Sequence, residues 1–174
     1  MYLITAYFDE ESNRNLAQIM KGLAETCGNS FLLDHQVPPH LTICQVEARG
    51  PEGLTLALEN LKGKLESGEI YLVSPGMLLP YVACISPLGT EYLGDLSHRV
   101  YDAIKDIREA KVSKYYRPGS WYPHVTMGKT LTRPQLSMAM DYLADHFTPC
   151  RVKLTKLGLA EVNPHKDLLR FHLL

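Results

Sequence analysis

Two five-residue stretches, Pro39-His40-Leu41-Thr42-Ile43 and Pro123-His124-Val125-Thr126-Met127, repeat one pattern half a chain apart. Each reads Pro-His-aliphatic-Thr-apolar. Along a strand, residues i and i+2 share a face. Each stretch therefore presents one imidazole and one hydroxyl on one surface and apolar side chains on the other. One copy of so short a pattern carries little weight. Two in one chain are expected by chance on the order of once in a hundred thousand sequences. The recurrence suggests two structurally similar lobes related by a pseudo-two-fold.

The rest of the chain reads as helices interleaved with short strands. Tyr2 to Phe8 is rich in aromatic and β-branched residues and predicts a strand. Asp9 to Cys27 predicts a helix, with Leu16, Ile19, Met20 and Leu23 as its apolar stripe and Gly28-Asn29 as the stop. Pro38-Pro39 enforces an extended approach to a strand over Leu41 to Val46. A helix follows over Pro51 to Leu65, then strands at Glu69 to Val73 and Tyr81 to Ser86. The next helix runs from about Leu88-Gly89-Thr90-Glu91 to Glu109. Lys111 to Tyr122 lacks periodicity and predicts an exposed loop, where substrate contacts commonly sit.

The second motif strand, Pro123 to Gly128, leads to a helix over Pro134 to Phe147, capped by Thr132. Strands over Arg151 to Val162 and Leu168 to Leu173 close the chain, joined by a turn at Asn163 to Asp167. No long apolar strand runs mark a doubly wound parallel sheet, so the fold class is α+β. With no low-complexity linker, residues 1–174 read as one two-lobed domain.

Charge bounds the partners. The net charge of −1 gives no basic footprint for long nucleic acid, so a small nucleotide or an RNA end is the easier substrate. No apolar run approaches the ~20 residues that span a bilayer, and no membrane association is expected. The first residues lack a charged n-region, so a signal peptide is not expected either. Cys27, Cys44, Cys84 and Cys150 have no Cys-x-x-Cys spacing and read as reduced thiols, which makes the cytoplasm the default location. No obligate protein partner is evident.

Two imidazoles and two hydroxyls suit in-line displacement at a phosphodiester. Such a reaction needs a base to activate water and an acid to protonate the departing oxygen, and histidine serves both near neutral pH. The hydroxyls donate to non-bridging oxygens whose charge grows in the transition state. The expected catalytic residues are therefore His40, His124, Thr42 and Thr126, without a metal or other cofactor. Lys114, Tyr115, Tyr116, Arg117, Trp121 and Tyr122 gather cations and rings that suit phosphate and base. Of these, Tyr115, Tyr116, Arg117 and Trp121, together with Lys129, are the candidate substrate-binding residues. A regular strand puts Lys129 on the face opposite His124, so its role requires a bend near Gly128.

His40-Leu41-Thr42-Ile43 and His124-Val125-Thr126-Met127, with Trp121 shortly before the second, resemble the motifs of the two-histidine (2H) phosphoesterases. That family includes 2′-5′ RNA ligase-like proteins and 2′,3′-cyclic nucleotide phosphodiesterases. The resemblance implies two pseudo-symmetric lobes of antiparallel sheet with outer helices around a central cleft. It also implies phosphodiesterase activity on a cyclic phosphate or 2′-5′ linkage of a nucleotide or RNA end. Many bacterial relatives carry Arg five positions past the second His, where this chain has Lys129; Gln45 holds the matching place after the first. Lys is a point charge where Arg is a planar fork, which tilts the expectation from ligation to hydrolysis.

Three other readings compete: a 2′-5′ RNA ligase, a metal hydrolase using the same histidines, and a non-catalytic nucleotide- or RNA-binding module. No His-Glu-x-x-His or Cys-pair spacing favours the metal. His35, His98, His146 and His165 read as solvent-exposed. His172 alternates with Arg170 on the last strand and could approach the cleft, although a structural place is expected. Cys44, four residues after His40, falls on the site face if the strand is regular; the alternative, and the preferred one, is a buried, inert thiol.

Overall fold

The structure, a computed structural model, describes residues 1–162 and 165–174. Strand β1 (Tyr2–Phe8) leads into α1 (Glu10–Cys27), whose first turn is capped by the Asp9 carboxylate accepting from Ser12 N at 2.9 Å. Gly28, at φ 68°, closes the helix in the left-handed region that favours glycine. A short α2 (Phe31–Asp34) precedes β2 (His40–Glu47), which carries the first motif. Next come α3 (Glu52–Glu59), β3 (Gly68–Leu78), β4 (Val82–Pro87) and α4 (Glu91–Ile104). β5 (Lys111–Val112) and a 3-10 turn (Lys114–Tyr116) lie before β6 (Val125–Gly128), which carries the second motif. Then α5 (Arg133–His146), opened by a capping box between Thr132 and Gln135, leads to β7 (Cys150–Glu161) and β8 (Lys166–His172).

All strand pairs are antiparallel, and the path β1-β2-β6-β4-β3-β7 returns to β1. β7 makes this possible by changing partners along its length. Cys150 to Leu154 pair with β3, whereas Lys156 to Glu161 lie between β1 and β8. The strands thus form two antiparallel lobes: β8, β7, β1, β2 and β5 on one side, and β7, β3, β4 and β6 on the other. α4 packs behind β2 in the first lobe, and α1 with α5 behind β6, β4 and β3 in the second. This is the α+β architecture expected from the motif pair. No described helix is long and apolar enough to cross a membrane.

Several elements differ from the sequence reading: α2 and β5 are additional, α4 ends at Ile104 rather than at about Glu109, and three further differences have a local cause. α3 ends at Glu59 because the chain turns through i−3 hydrogen bonds at Leu61, Lys62 and Lys64, with Gly63 at φ 69°. Leu58, Leu61 and Leu65 keep helical spacing across that turn, so periodicity alone overextends the helix. β3 runs through Ser74-Pro75-Gly76, which reads as a break. Beyond Leu72 it pairs only with β4, leaving an open edge on which proline's missing N–H costs no ladder bond. The expected turn at Asn163 to Asp167 begins with Asn163 and Pro164, which lie outside the described residues, while Lys166 and Asp167 already belong to β8.

Candidate active site

The two motif strands meet where the lobes join. Their one ladder pair is Leu41 with Val125, the aliphatic residue between His and Thr in each motif. Continuing that antiparallel register by one residue either way sets His40 opposite Thr126 and Thr42 opposite His124. The register thus sets two imidazoles and two hydroxyls at alternate corners of a square about the Leu41–Val125 pair. All four line one cavity of about 340 Å³.

Each motif strand also carries a bulge at its fourth motif residue. Ile4 pairs with Cys44 and Thr5 with Thr42, which leaves Ile43 unpaired. Ala83 pairs with Gly128 and Cys84 with Thr126, which leaves Met127 unpaired. One extra residue inverts the side-chain alternation beyond it. The cavity therefore receives Gln45 and Lys129, each five positions past its histidine. The bend that Lys129 required is the Met127 bulge.

The bulge at Ile43 turns Cys44 away from the site face, in keeping with the buried-thiol reading. It lies in the core, 1% exposed, and burial pushes its thiol up to about 12. Brief alkylation of the native protein is expected to leave Cys44 unmodified by mass spectrometry, with no inhibition through that position.

Both imidazoles are held alike. His40 Nδ1 lies 2.8 Å from the Pro38 carbonyl oxygen, and His124 Nδ1 lies 2.9 Å from that of Tyr122. A carbonyl only accepts, so Nδ1–H donates and Nε2 is the basic nitrogen of each neutral ring. The tautomer is thus set by backbone two residues upstream, and the extended Pro38-Pro39 and Tyr122-Pro123 approaches place those carbonyls. Burial lowers both pKa values. His40 is pushed down to about 4, opposed by the Pro38 carbonyl and reinforced by His165 and His124. His124 moves in the same direction by burial, opposed by the Tyr122 carbonyl.

The remaining candidates separate clearly. Tyr116 and Lys129 line the cavity. Tyr115 is 68% exposed and, like the exposed Arg117, lies outside the cavity lining. Trp121 is also outside it; its Nε1 donates to the Thr42 carbonyl at 3.0 Å and ties the second motif's approach to the first motif strand. Tyr122 stacks on His124 with ring centroids 6.2 Å apart, and its hydroxyl shares a 2.7 Å hydrogen bond with Ser86. Phe31, Val37, Leu78 and Val82 supply apolar wall. Among the described residues, no three His, Cys, Asp or Glu side chains converge to hold a metal ion.

Two histidines expected on the surface are at the cavity. His35 is exposed at its rim, whereas the His165 side chain is 9% exposed and stacks on His40 with centroids 6.0 Å apart. His172 is exposed in the β7–β8 ladder opposite Lys156, as expected for a structural place.

Comparison with known proteins agrees with this architecture. A structure from Thermus thermophilus, TT0787, superposes with a TM-score of 0.63 at 14% identity, covering 99% of this chain and 97% of that one. E. coli LigT complexed with 3′-AMP gives 0.62 at 13% identity over 99% and 97%. Kluyveromyces marxianus Usb1 gives 0.50 at 10% identity over 96% of each chain. No curated protein matches the chain. At these identities the structures speak to the fold alone. The family model described as the 2′-5′ RNA ligase superfamily matches residues 35–165, a span that holds both motifs. The chain belongs to the 2′-5′ RNA ligase superfamily of two-histidine phosphoesterases.

Proposed function

We propose that the whole chain, 1–174, is one two-lobed phosphodiesterase. It hydrolyses a cyclic phosphate or 2′-5′ linkage of a nucleotide or RNA end, with His40 and His124 as the acid–base pair and no metal. The observation that carries this reading is the square of two imidazoles and two hydroxyls in one cavity, each imidazole with Nδ1 committed to a carbonyl. E. coli LigT structures hold 3′-AMP, ATP and NADP+, which supports a nucleotide for a cavity of this fold.

His40 is the base. A ring pushed down to about 4 stays neutral across the working range, and Nε2 takes the proton of the attacking water. As the new P–O bond forms, the bond to the ribose oxygen on the opposite side breaks. His124, protonated, delivers its Nε2 proton to that oxygen. An anion in the cavity favours the imidazolium there, since an opposite charge within ~4–6 Å raises a histidine's pKa. Thr42 and Thr126 donate to the non-bridging oxygens, and Lys129, delivered beyond Thr126 on the second motif strand, adds positive charge toward those oxygens.

A substrate panel tests the assignment: 2′,3′-cyclic nucleotides, ADP-ribose 1″,2″-cyclic phosphate and 2′-5′ linked oligonucleotides, each incubated in EDTA. Turnover of at least one is expected, undiminished by the chelator. Activity lost in EDTA and restored by zinc or manganese favours the metal reading. Joining of RNA ends without hydrolysis favours the ligase, and binding without turnover favours a non-catalytic module.

A further inference from the structure

The two halves of the cavity match in His, in Thr and in the bulge, but not in charge. The second motif strand delivers Lys129 where the first delivers Gln45, a neutral amide. A phosphodiester gains negative charge on its non-bridging oxygens during in-line attack, so a cation is useful on both sides. The strand that bears His40 supplies none of its own; Lys129 reaches that end of the cavity from beyond Thr126 on the other strand.

β8 and the residue before it supply a substitute. The His165 ring lies beside His40, nearly parallel at 22°, and lines the cavity. Its side chain is nine-tenths buried, yet its Nε2 has no hydrogen-bond partner among the described residues. A buried polar atom left without a partner calls for an occupant. Asp167 Oδ1 lies 3.8 Å from that nitrogen, too far for a hydrogen bond and near enough for an ion pair. The carboxylate is itself fixed. The Tyr7 hydroxyl donates to Oδ1 at 2.6 Å, and the Arg170 guanidinium donates to Oδ2 while lying 3.8 Å from the Tyr7 ring centre. β1 and β8 together thus hold one anion at the edge of the cavity.

Resting on the phosphoesterase reading of this same cavity, we propose that His165, with Asp167 as counter-ion, is the cationic group that holds a phosphoryl oxygen on the His40 side. The surrounding charges make its protonation conditional on substrate. Burial opposes the imidazolium, Asp167 favours it and Arg170 opposes it, so the ring sits below histidine's ordinary value. Of its other neighbours, Tyr7 is pushed up to about 12 by burial and by Asp167 and stays neutral. His40 stays neutral on one side. On the other, α2 contributes Asp34 and its C-cap His35 to a second opening that His165 also lines, through which the ring reaches solvent. A bound anion adds the charge that completes protonation. The imidazolium then lies next to His40 and keeps that base unprotonated as the reaction needs it.

NMR titration of the imidazole C–H signals of the full chain, with and without sulfate, reads this directly. Sulfate is expected to raise the His165 midpoint by about one unit, the lower end of what a nearby opposite charge produces. His98 and His146, on the outer helices and outside the cavity lining, serve as controls for non-specific binding of sulfate. In kinetics on a 2′,3′-cyclic nucleotide, His165→Gln is expected to raise KM roughly 10- to 100-fold, the value of a charge-assisted hydrogen bond. Its kcat should change far less; the parent's KM is expected to rise with pH as the His165 imidazolium is lost, and that rise should disappear in the variant. A His165 midpoint indifferent to sulfate, or a His165→Gln KM equal to that of the parent, overturns the proposal. If the cyclic nucleotide is not turned over at all, the catalytic reading fails, and the sulfate titration still decides the role of His165.

Discussion

Replacing His40 or His124 with alanine is expected to cut turnover by about 10²–10⁴-fold, the usual contribution of a positioned acid or base. The fold should survive, because neither ring belongs to the apolar core beneath the cavity. The two substitutions act on different bond events. His40→Ala removes the group that takes the water proton; His124→Ala removes the one that protonates the departing oxygen. As the two act on one transition state, the double variant should fall little below the poorer single one, since effects within a catalytic unit are not additive. Steady-state rates with circular dichroism melting of each variant check both halves of this expectation. Near-parental activity in the double variant removes the acid–base pair from the account.

Thr42→Val and Thr126→Val are expected to lower kcat by roughly 10–10³-fold, bounded by the value of one donor to a developing oxyanion. Valine keeps the β-branched shape, so packing against the neighbouring strands is retained. The register sets each hydroxyl across from the other motif's imidazole, so each threonine serves the half-site of the opposite strand. Thr42 is 8% exposed, and its carbonyl already receives the Trp121 indole. Its hydroxyl is the better fixed of the two, and its loss should cost at least as much as that of Thr126. The pH dependence should keep its shape in both variants, because no titrating group has been removed. A threonine variant with parental kcat shows that hydroxyl to be structural.

Much of this is legible in the primary structure. The repeated Pro-His-x-Thr sets a proline-stiffened approach, a strand and a shared polar face at two places, and the two strands do lie side by side. Helices with strong local signals begin close to where the sequence puts them: α5 follows its Thr132 cap, and α1 starts one residue later than expected, with Asp9 as its cap. What escapes is relational. A bulge is a mismatch between two strands, so nothing in His40 to Val46 alone reveals that Ile43 is unpaired against β1. Regular alternation therefore puts Cys44 on the wrong face, and it places the bend that brings Lys129 inward at Gly128, one residue too late. His165 escapes for a similar reason. Alone it is one polar residue near a turn; its meaning comes from Tyr7, Asp167 and Arg170, which meet only when β8 pairs with β7 beside β1. Tyr115 and Arg117 lie outside the cavity lining, a placement the sequence does not reveal because an aromatic, basic loop reads as a binding surface whether or not it faces the cavity.

The account stands most directly on the pH dependence of kcat/KM for a 2′,3′-cyclic nucleotide in EDTA. In the free enzyme His40 is pushed down to about 4 and His124 lies below histidine's ordinary 6.5. A base must be unprotonated, so activity rises with pH through the His40 value. An acid must be protonated, so activity falls again through the His124 value. The two rings repel each other's protons, and the limbs belong to the pair as a unit. The expected profile is a bell on the acidic side of neutrality, with His40→Ala losing the rising limb and His124→Ala the falling one. A bell that keeps both limbs after either substitution, or a rate that needs an added divalent metal, contradicts the two-histidine mechanism.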